Sequence, residues 1–184
     1  MVILRPVNLH WIKGALDDPA DLCAHAGVEF QINLDSLIKP SDGDWAVGAA
    51  ALYLLRALSQ PHTKLKPIAE HLFPCCGHGM FEVEGQDDVL ILGCNGGIDL
   101  EIVRDADEVV LTSAGGRQYR VAAAEWLTAV CGFSDAVRAF YAASSSKRPA
   151  DEIDAKAYQI FLAEWSRRRS QAERDRAVLT PRSA

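Results

Sequence analysis

The sequence has a deficit of basic residues and contains no long apolar run. Nineteen Lys and Arg stand against 25 Asp and Glu, which gives a formal net charge of −6 over 184 residues. A nucleic-acid binder needs a basic surface to neutralise phosphates, so the charge balance argues against that class. The longest apolar run, residues 45–55, is about half of the roughly 20 residues that a membrane-spanning helix needs. We therefore expect no nucleic-acid partner and no membrane span.

The N-terminus also lacks the marks of a secretory signal. Its short apolar start is interrupted by Arg5 and Pro6, and it has neither a basic segment nor a small-residue cleavage site. The sequence therefore predicts a cytoplasmic protein. Five cysteines is an odd number, and in a reducing compartment free thiols or a metal site are more natural than disulfides.

The pattern of apolar residues predicts an α+β fold built on an antiparallel β meander sheet. Closely spaced turns between Met80 and Val121 give the meander, and two strands at residues 7–12 and 28–33 pair nearby. Residues 45–58 are apolar almost all round, with Arg56 as their only charge, which is typical of a buried central helix. Ser41 offers an N-cap for that helix.

The remaining residues predict C-terminal helices packed on one face of the sheet. The last of these covers residues 150–167, so a single domain spans residues 1–168 and a polar tail over 169–184 frays into solvent. Large side chains from all these elements should form the core: Trp45, Leu52, Leu55, Phe81, Leu90, Leu92, Ile98, Leu100, Trp126, Phe140, Phe161 and Trp165.

Cysteines and histidines suggest two kinds of chemistry. Zinc prefers four nitrogen or sulfur ligands, and the sequence offers Cys23, His25, Cys75, Cys76 and His78. The spacing differs from the usual Cys-x₂-Cys pairs, and free cysteines such as Cys23, Cys76 and Cys94 are commonly small buried residues. A second hypothesis is a catalytic thiol at Cys75 or Cys76, activated by His71 or His78.

Eight acidic residues fall in predicted turns or loops. Solvated turn formation is their ordinary role, but at one end of the sheet they would form a negative patch for a basic partner. The set consists of Asp17, Asp18, Asp21, Asp87, Asp88, Asp105, Asp107 and Glu108. No motif in the chain specifies a catalytic chemistry.

Several short segments resemble one family type. These are Asp21-Leu22-Cys23-Ala24-His25, Leu72-Phe73-Pro74-Cys75-Cys76-Gly77-His78, Gly93-Cys94 with Gly97-Ile98-Asp99, Phe140-Tyr141-x-x-Ser144 and Glu164-Trp165. From about Trp11 to Arg167 the chain looks like small bacterial immunity proteins of polymorphic or secreted toxin systems. The resemblance implies a cytoplasmic α+β protein that binds one cognate toxin and blocks its active site. The family type has no universal binding residues.

The sequence is also compatible with two other functions. A zinc-binding protein or zinc enzyme would use the Cys and His residues as ligands, and zinc would then be its cofactor. A subunit of a larger assembly would use the exposed C-terminal helix as its contact surface.

Overall fold

The first strands of the chain form one antiparallel sheet. The computed structural model describes residues 1–14, 16–77 and 79–179. Strands of this first sheet are β1 (Val2–Trp11), β2 (Ala24–Ile32), β3 (Asp35–Ile38) and β4 (Trp45–Ala46). Strand β2 lies between β1 on one edge and both β3 and β4 on the other. The predicted strand pair is confirmed, and the burial of Val28, Phe30 and Ile32 follows their period of two.

The central helix α1 spans Val47–Ala57, and all of its residues are buried. This confirms the helix predicted from its continuous apolar pattern. The predicted start at Ser41 is wrong, since the N-cap is Ala46 and no side chain caps the helix. Trp45 and Ala46 instead pair with β2 as strand β4, so the chain enters the helix directly from the sheet.

The predicted meander from Met80 to Val121 is divided into separate ladders. The short strands are β5 (Phe73–Pro74), β6 (Gly79–Phe81), β7 (Leu90–Leu92) and β8 (Gly97–Ile98). Here β6 pairs with β7 and β5 pairs with β8, both antiparallel. A three-stranded antiparallel meander then follows, with β9 (Leu100–Asp105), β10 (Glu108–Ser113) and β11 (Gln118–Ala122). The fold class is therefore α+β, as predicted, but with several small sheets.

Two C-terminal helices complete the structure. Helix α2 (Ala123–Ala143) contacts β1 and α1, and α3 (Glu152–Leu179) contacts α1, α2 and β6. The predicted frayed tail from residue 169 is wrong for residues 169–179, which continue α3. Ala172 is buried there, and Arg169 pairs with Asp135 on α2. Within the described residues, no helix is both long and apolar enough to cross a membrane.

Seven of the twelve predicted core residues are buried, two are half-buried and three are exposed. The buried ones are Trp45, Leu52, Leu55, Leu100, Trp126, Phe161 and Trp165, while Ile98 and Phe140 are half-buried against the core. Phe81, Leu90 and Leu92 are exposed, which corrects the prediction. On the ribbon formed by β6 and β7, Met80 faces Ile91 and both point into the core. Because side chains alternate along a strand, their neighbours must point outwards.

Candidate functional site

Two short loops face each other between the paired ends of the short strands. Residues 75–77 follow β5, and residues 93–96 connect β7 to β8. The pairings of Pro74 with Gly97 and of Gly79 with Leu92 hold both loops at both ends. The two loops therefore separate two hydrogen-bonded segments of one antiparallel ribbon.

Three sulfur atoms meet between the two loops, and we call Cys75, Cys76 and Cys94 the thiol cluster. Their Sγ atoms all lie within 4.8 Å of one another. Cys75 and Cys94 form a disulfide, whereas the sequence favoured free thiols or a metal site. Cys76 is free, and the backbone N–H of Cys94 donates to its Sγ over 2.9 Å. Cys94 was not among the zinc ligands predicted from the sequence, which instead treated it as a small buried residue.

Glycines let the two loops approach so closely. A Cβ atom on Gly93 would collide with the carbonyl oxygen of Cys76. A Cβ atom on Gly96 would lie 3.1 Å from the Sγ of Cys75 and 3.5 Å from that of Cys94. The carbonyl of Gly96 also accepts the N–H of Cys75 at 3.0 Å. The backbone of one loop is thus packed directly against the sulfur atoms of the other.

Cys23 and His25, two predicted zinc ligands, lie outside the cluster. Cys23 is buried, with only 3% of its surface exposed. Burial, with a smaller effect from Asp21, raises the pKa of this thiol to about 12, so Cys23 stays protonated at neutral pH. The Nδ1 atom of His25 lies 3.1 Å from the carbonyl oxygen of Cys23. Both side chains are therefore buried in the protein interior.

The other predicted metal ligands and catalytic bases are only partly brought together. Cys75 and Cys76 come together as expected, whereas His78 lies outside the described residues. His71 packs over Gly97, and its Nδ1 makes no hydrogen bond to any described residue. The hydrogen-bonded thiol–imidazole pair of the catalytic hypothesis is thus not formed by His71.

Most of the acidic residues predicted as a partner surface are paired within the chain. Five have basic partners: Asp17 with Lys147, Asp18 with Lys13, Asp88 with Arg167 and Arg168, and both Asp105 and Glu108 with Arg120. Asp87 and Asp107 are exposed turn residues. Burial opposes ionisation of Asp88, but the two arginines hold its pKa below the ordinary value. These pairs reduce the local negative charge available to a basic partner.

Asp21 differs from the other seven acidic residues because it is buried and only one of its two carboxylate oxygens accepts a hydrogen bond from a described residue. Its Oδ1 accepts the N–H of Cys23 at 3.0 Å, while Oδ2 has no hydrogen-bond partner among the described residues. The side chain lines a cavity of about 260 Å³ together with Ile12, Lys13 and Met80. A buried polar atom without a partner is costly. Oδ2 is therefore a buried acceptor that no described residue satisfies.

Glu164 fixes the ribbon to the helices. The carboxylate is fully buried and accepts two hydrogen bonds from Arg56, at 2.7 and 2.8 Å. It also accepts the N–H of Val89 at 2.9 Å, and the carbonyl of Val89 accepts from Arg56 at 2.7 Å. Arg168 adds a further hydrogen bond to Glu164 at 2.5 Å. One closed network thus joins α1, α3 and the start of β7.

The opposite side of the ribbon carries an apolar surface, which we call the outer face. It consists of Phe81, Leu90 and Leu92, exposed by 43, 43 and 54%. Phe81 and Leu90 are directly opposite each other across the two strands, and Leu92 follows on the same side. The sequence placed these side chains in the core, because a three-residue apolar strand does not show which of its faces is covered.

Comparison of the chain with protein-family models, with curated proteins and with solved structures finds no match.

Proposed function

We propose that this protein is a cytoplasmic immunity-type protein that binds one cognate bacterial toxin and occludes its active site. The outer face carries the proposal, because Phe81, Leu90 and Leu92 are exposed side by side on a ribbon that is firmly held from behind. Contiguous apolar patches with a polar rim mark protein-binding surfaces. The rim is provided by the exposed ion pairs of Glu82 with Lys156 and of Asp88 with Arg167. The resemblance of the sequence to immunity proteins supplies the class of partner.

Asp21 offers a polar contact in a cavity on the inner side of the ribbon. Its cavity is lined by Met80, the residue that precedes Phe81 of the outer face in β6. A lysine or arginine side chain of the toxin that entered the cavity would pair with the carboxylate of Asp21. The expected toxin surface thus combines an apolar patch with a basic side chain.

The test begins with capture of the tagged protein from the bacterium that encodes it. A stoichiometric partner is then expressed alone and together with this protein. We expect the partner alone to stop growth and co-expression to restore it. A partner that is harmless when expressed alone would contradict the immunity function.

Leu92→Asp tests the surface itself. A charge in the centre of an apolar interface should weaken toxin binding by at least about 30-fold, as loss of a hot spot of 2 kcal/mol does. The matched control is Leu65→Asp, at a residue that is 99% exposed in the chain between α1 and β5. It should leave binding and growth rescue unchanged. Equal binding by both variants would show that the toxin contacts another surface.

A further inference from the structure

The thiol cluster lies between two chain segments whose flanking residues are joined by strand pairs. Residues 75–77 and 93–96 both lie between the β5–β8 pair and the β6–β7 pair. Cys75 and Cys76 come from one loop and Cys94 comes from the other. Two facing loops that both present thiols toward a common point are a suitable frame for a metal ion.

The distances between the sulfur atoms fit a tetrahedral ion after a small adjustment. A zinc ion bound by thiolates at about 2.3 Å holds pairs of sulfur atoms about 3.8 Å apart. The three Sγ atoms already lie within 4.8 Å of one another. The N–H of Cys94, which donates to Cys76, would also favour the negative charge of a thiolate. Soft thiolate ligands favour zinc over harder cations such as magnesium and calcium.

We propose that the reduced protein binds one Zn²⁺ through the thiolates of Cys75, Cys76 and Cys94, with the fourth coordination position open to another ligand. Each thiol gives its proton to the solvent when it binds the metal. The site differs from the set expected from the sequence, because Cys94 enters and the buried Cys23 and His25 stay out.

The disulfide between Cys75 and Cys94 is the alternative state of the same cluster. Its formation takes one electron from each of two sulfur atoms and removes two of the three ligands from the metal. In a laboratory test the azo compound diamide accepts these two electrons, takes up two protons and becomes a hydrazine. Cys76 alone cannot hold the ion, so oxidation releases zinc. Reduction by an added phosphine restores the site.

Zinc binding is measured on full-length protein that was purified without a metal-affinity tag and reduced with a phosphine. Titration against a chromophoric chelator should give one zinc per chain, and diamide should release it. Cobalt(II) added instead of zinc should show the intense visible bands of a tetrahedral thiolate complex. These measurements need no toxin, so failure of the immunity function would leave their result unchanged.

Cys76→Ser separates a metal site from a simple disulfide. Cys76 takes no part in the disulfide, yet its loss should weaken zinc binding by more than the roughly 10- to 100-fold that removal of an outer-shell partner costs. Cys131→Ser, at a buried residue of α2, is the matched control and should bind zinc like the wild type. Circular dichroism checks that both variants fold. The proposal is overturned if the reduced wild type binds no zinc or cobalt, or if Cys76→Ser binds zinc as tightly as the wild type.

Discussion

The two faces of the β6–β7 ribbon carry similar apolar side chains but differ in their exposure to solvent. On the inner face, Met80 and Ile91 are buried and Val89 is bonded to Glu164 and Arg56. On the outer face, Phe81, Leu90 and Leu92 are equally apolar but exposed to solvent. Neighbouring residues of a three-residue strand thus have opposite environments. The inner face accounts for the position of the ribbon, and the outer face is available to a partner.

This difference would combine a rigid support with the proposed binding surface. A surface that must present apolar side chains without collapsing needs firm attachment from behind. The Glu164 network provides it, because each of its buried charges has several hydrogen bonds. Substitutions on the inner face should therefore lower the free energy of unfolding, whereas substitutions on the outer face should weaken binding of the partner. Four predictions test this difference.

The largest effect on stability is expected from Glu164→Ala. This change leaves the buried guanidinium of Arg56 and the N–H of Val89 without their acceptor. Loss of one partner of a buried ion pair costs about 3–5 kcal/mol in the free energy of unfolding. Urea denaturation measures it. The control Glu82→Ala breaks an exposed ion pair with Lys156 on the same ribbon and should cost less than about 1 kcal/mol. Similar costs for both would show that Glu164 does not anchor the ribbon.

A smaller but clear contrast is expected between the adjacent residues Ile91 and Leu92. Ile91→Ala creates a cavity on the inner face and should lower the free energy of unfolding by about 2–4 kcal/mol. Leu92→Ala removes a side chain that is 54% exposed and should change it by less than about 0.5 kcal/mol. Both values come from the same urea titrations. A large cost for Leu92→Ala would mean that the outer face is covered in solution.

The third prediction concerns alkaline pH and Tyr53, whose hydroxyl donates to the carbonyl oxygen of Ile91. Burial raises the pKa of Tyr53 from 10.0 to about 12. Below pH 10 the phenol is protonated in both folded and unfolded chains, so it contributes no pH dependence. Between these pKa values the unfolded chain loses its proton first, and the free energy of unfolding falls by up to about 1.4 kcal/mol per pH unit.

Denaturation at several pH values between 9 and 12 measures that slope. Tyr141 and Tyr158 also have raised pKa values because of burial, and they contribute equally in wild type and variant. Tyr53→Phe should therefore remove only the part that belongs to Tyr53. An unchanged slope in Tyr53→Phe would contradict a buried phenol at this position.

The smallest effect on stability is expected from Asp21→Asn. The amide keeps an acceptor for the N–H of Cys23 but removes a buried acid with an unpartnered oxygen. The free energy of unfolding should rise by less than about 1 kcal/mol, while the affinity for a basic toxin side chain falls about tenfold. Calorimetry with the captured toxin measures the second quantity. Asp107→Asn, at an exposed turn, is the control, and an equal loss of affinity in both variants would argue against a specific role of the cavity.

Local sequence patterns were sufficient to predict the helices and strands that are long or continuously apolar. Helix α1 follows from an apolar run with a single charge, and its burial leaves no choice of face. Strand β2 follows from strict alternation, and the β9–β11 meander follows from short turns. The capping signal at Ser41 failed because pairing of Trp45 with β2 prevailed over a local hydrogen bond.

The candidate site was only partly accessible from the sequence. The sequence predicts Cys75 and Cys76 as candidate metal ligands, and both belong to the thiol cluster. Cys94 joins them through the strand pairs at both ends of the two loops, which bring together residues that are distant in the chain. The acidic residues were recognised as turn formers, but their basic partners come from other elements of the fold.

The sequence by itself determined the fold class, the buried central helix and the paired N-terminal strands, because hydrophobic periodicity acts through residues close in the chain. Only the tertiary structure decided which face of the β6–β7 ribbon is covered, which thiols meet and which acidic residues are neutralised. Each of these depends on contacts between residues far apart in sequence, such as Glu164 with Val89 and Cys94 with Cys76. If a strand shifts by one residue, the side chains that pointed into the core point to solvent instead. The apolar pattern that predicts the strand stays the same.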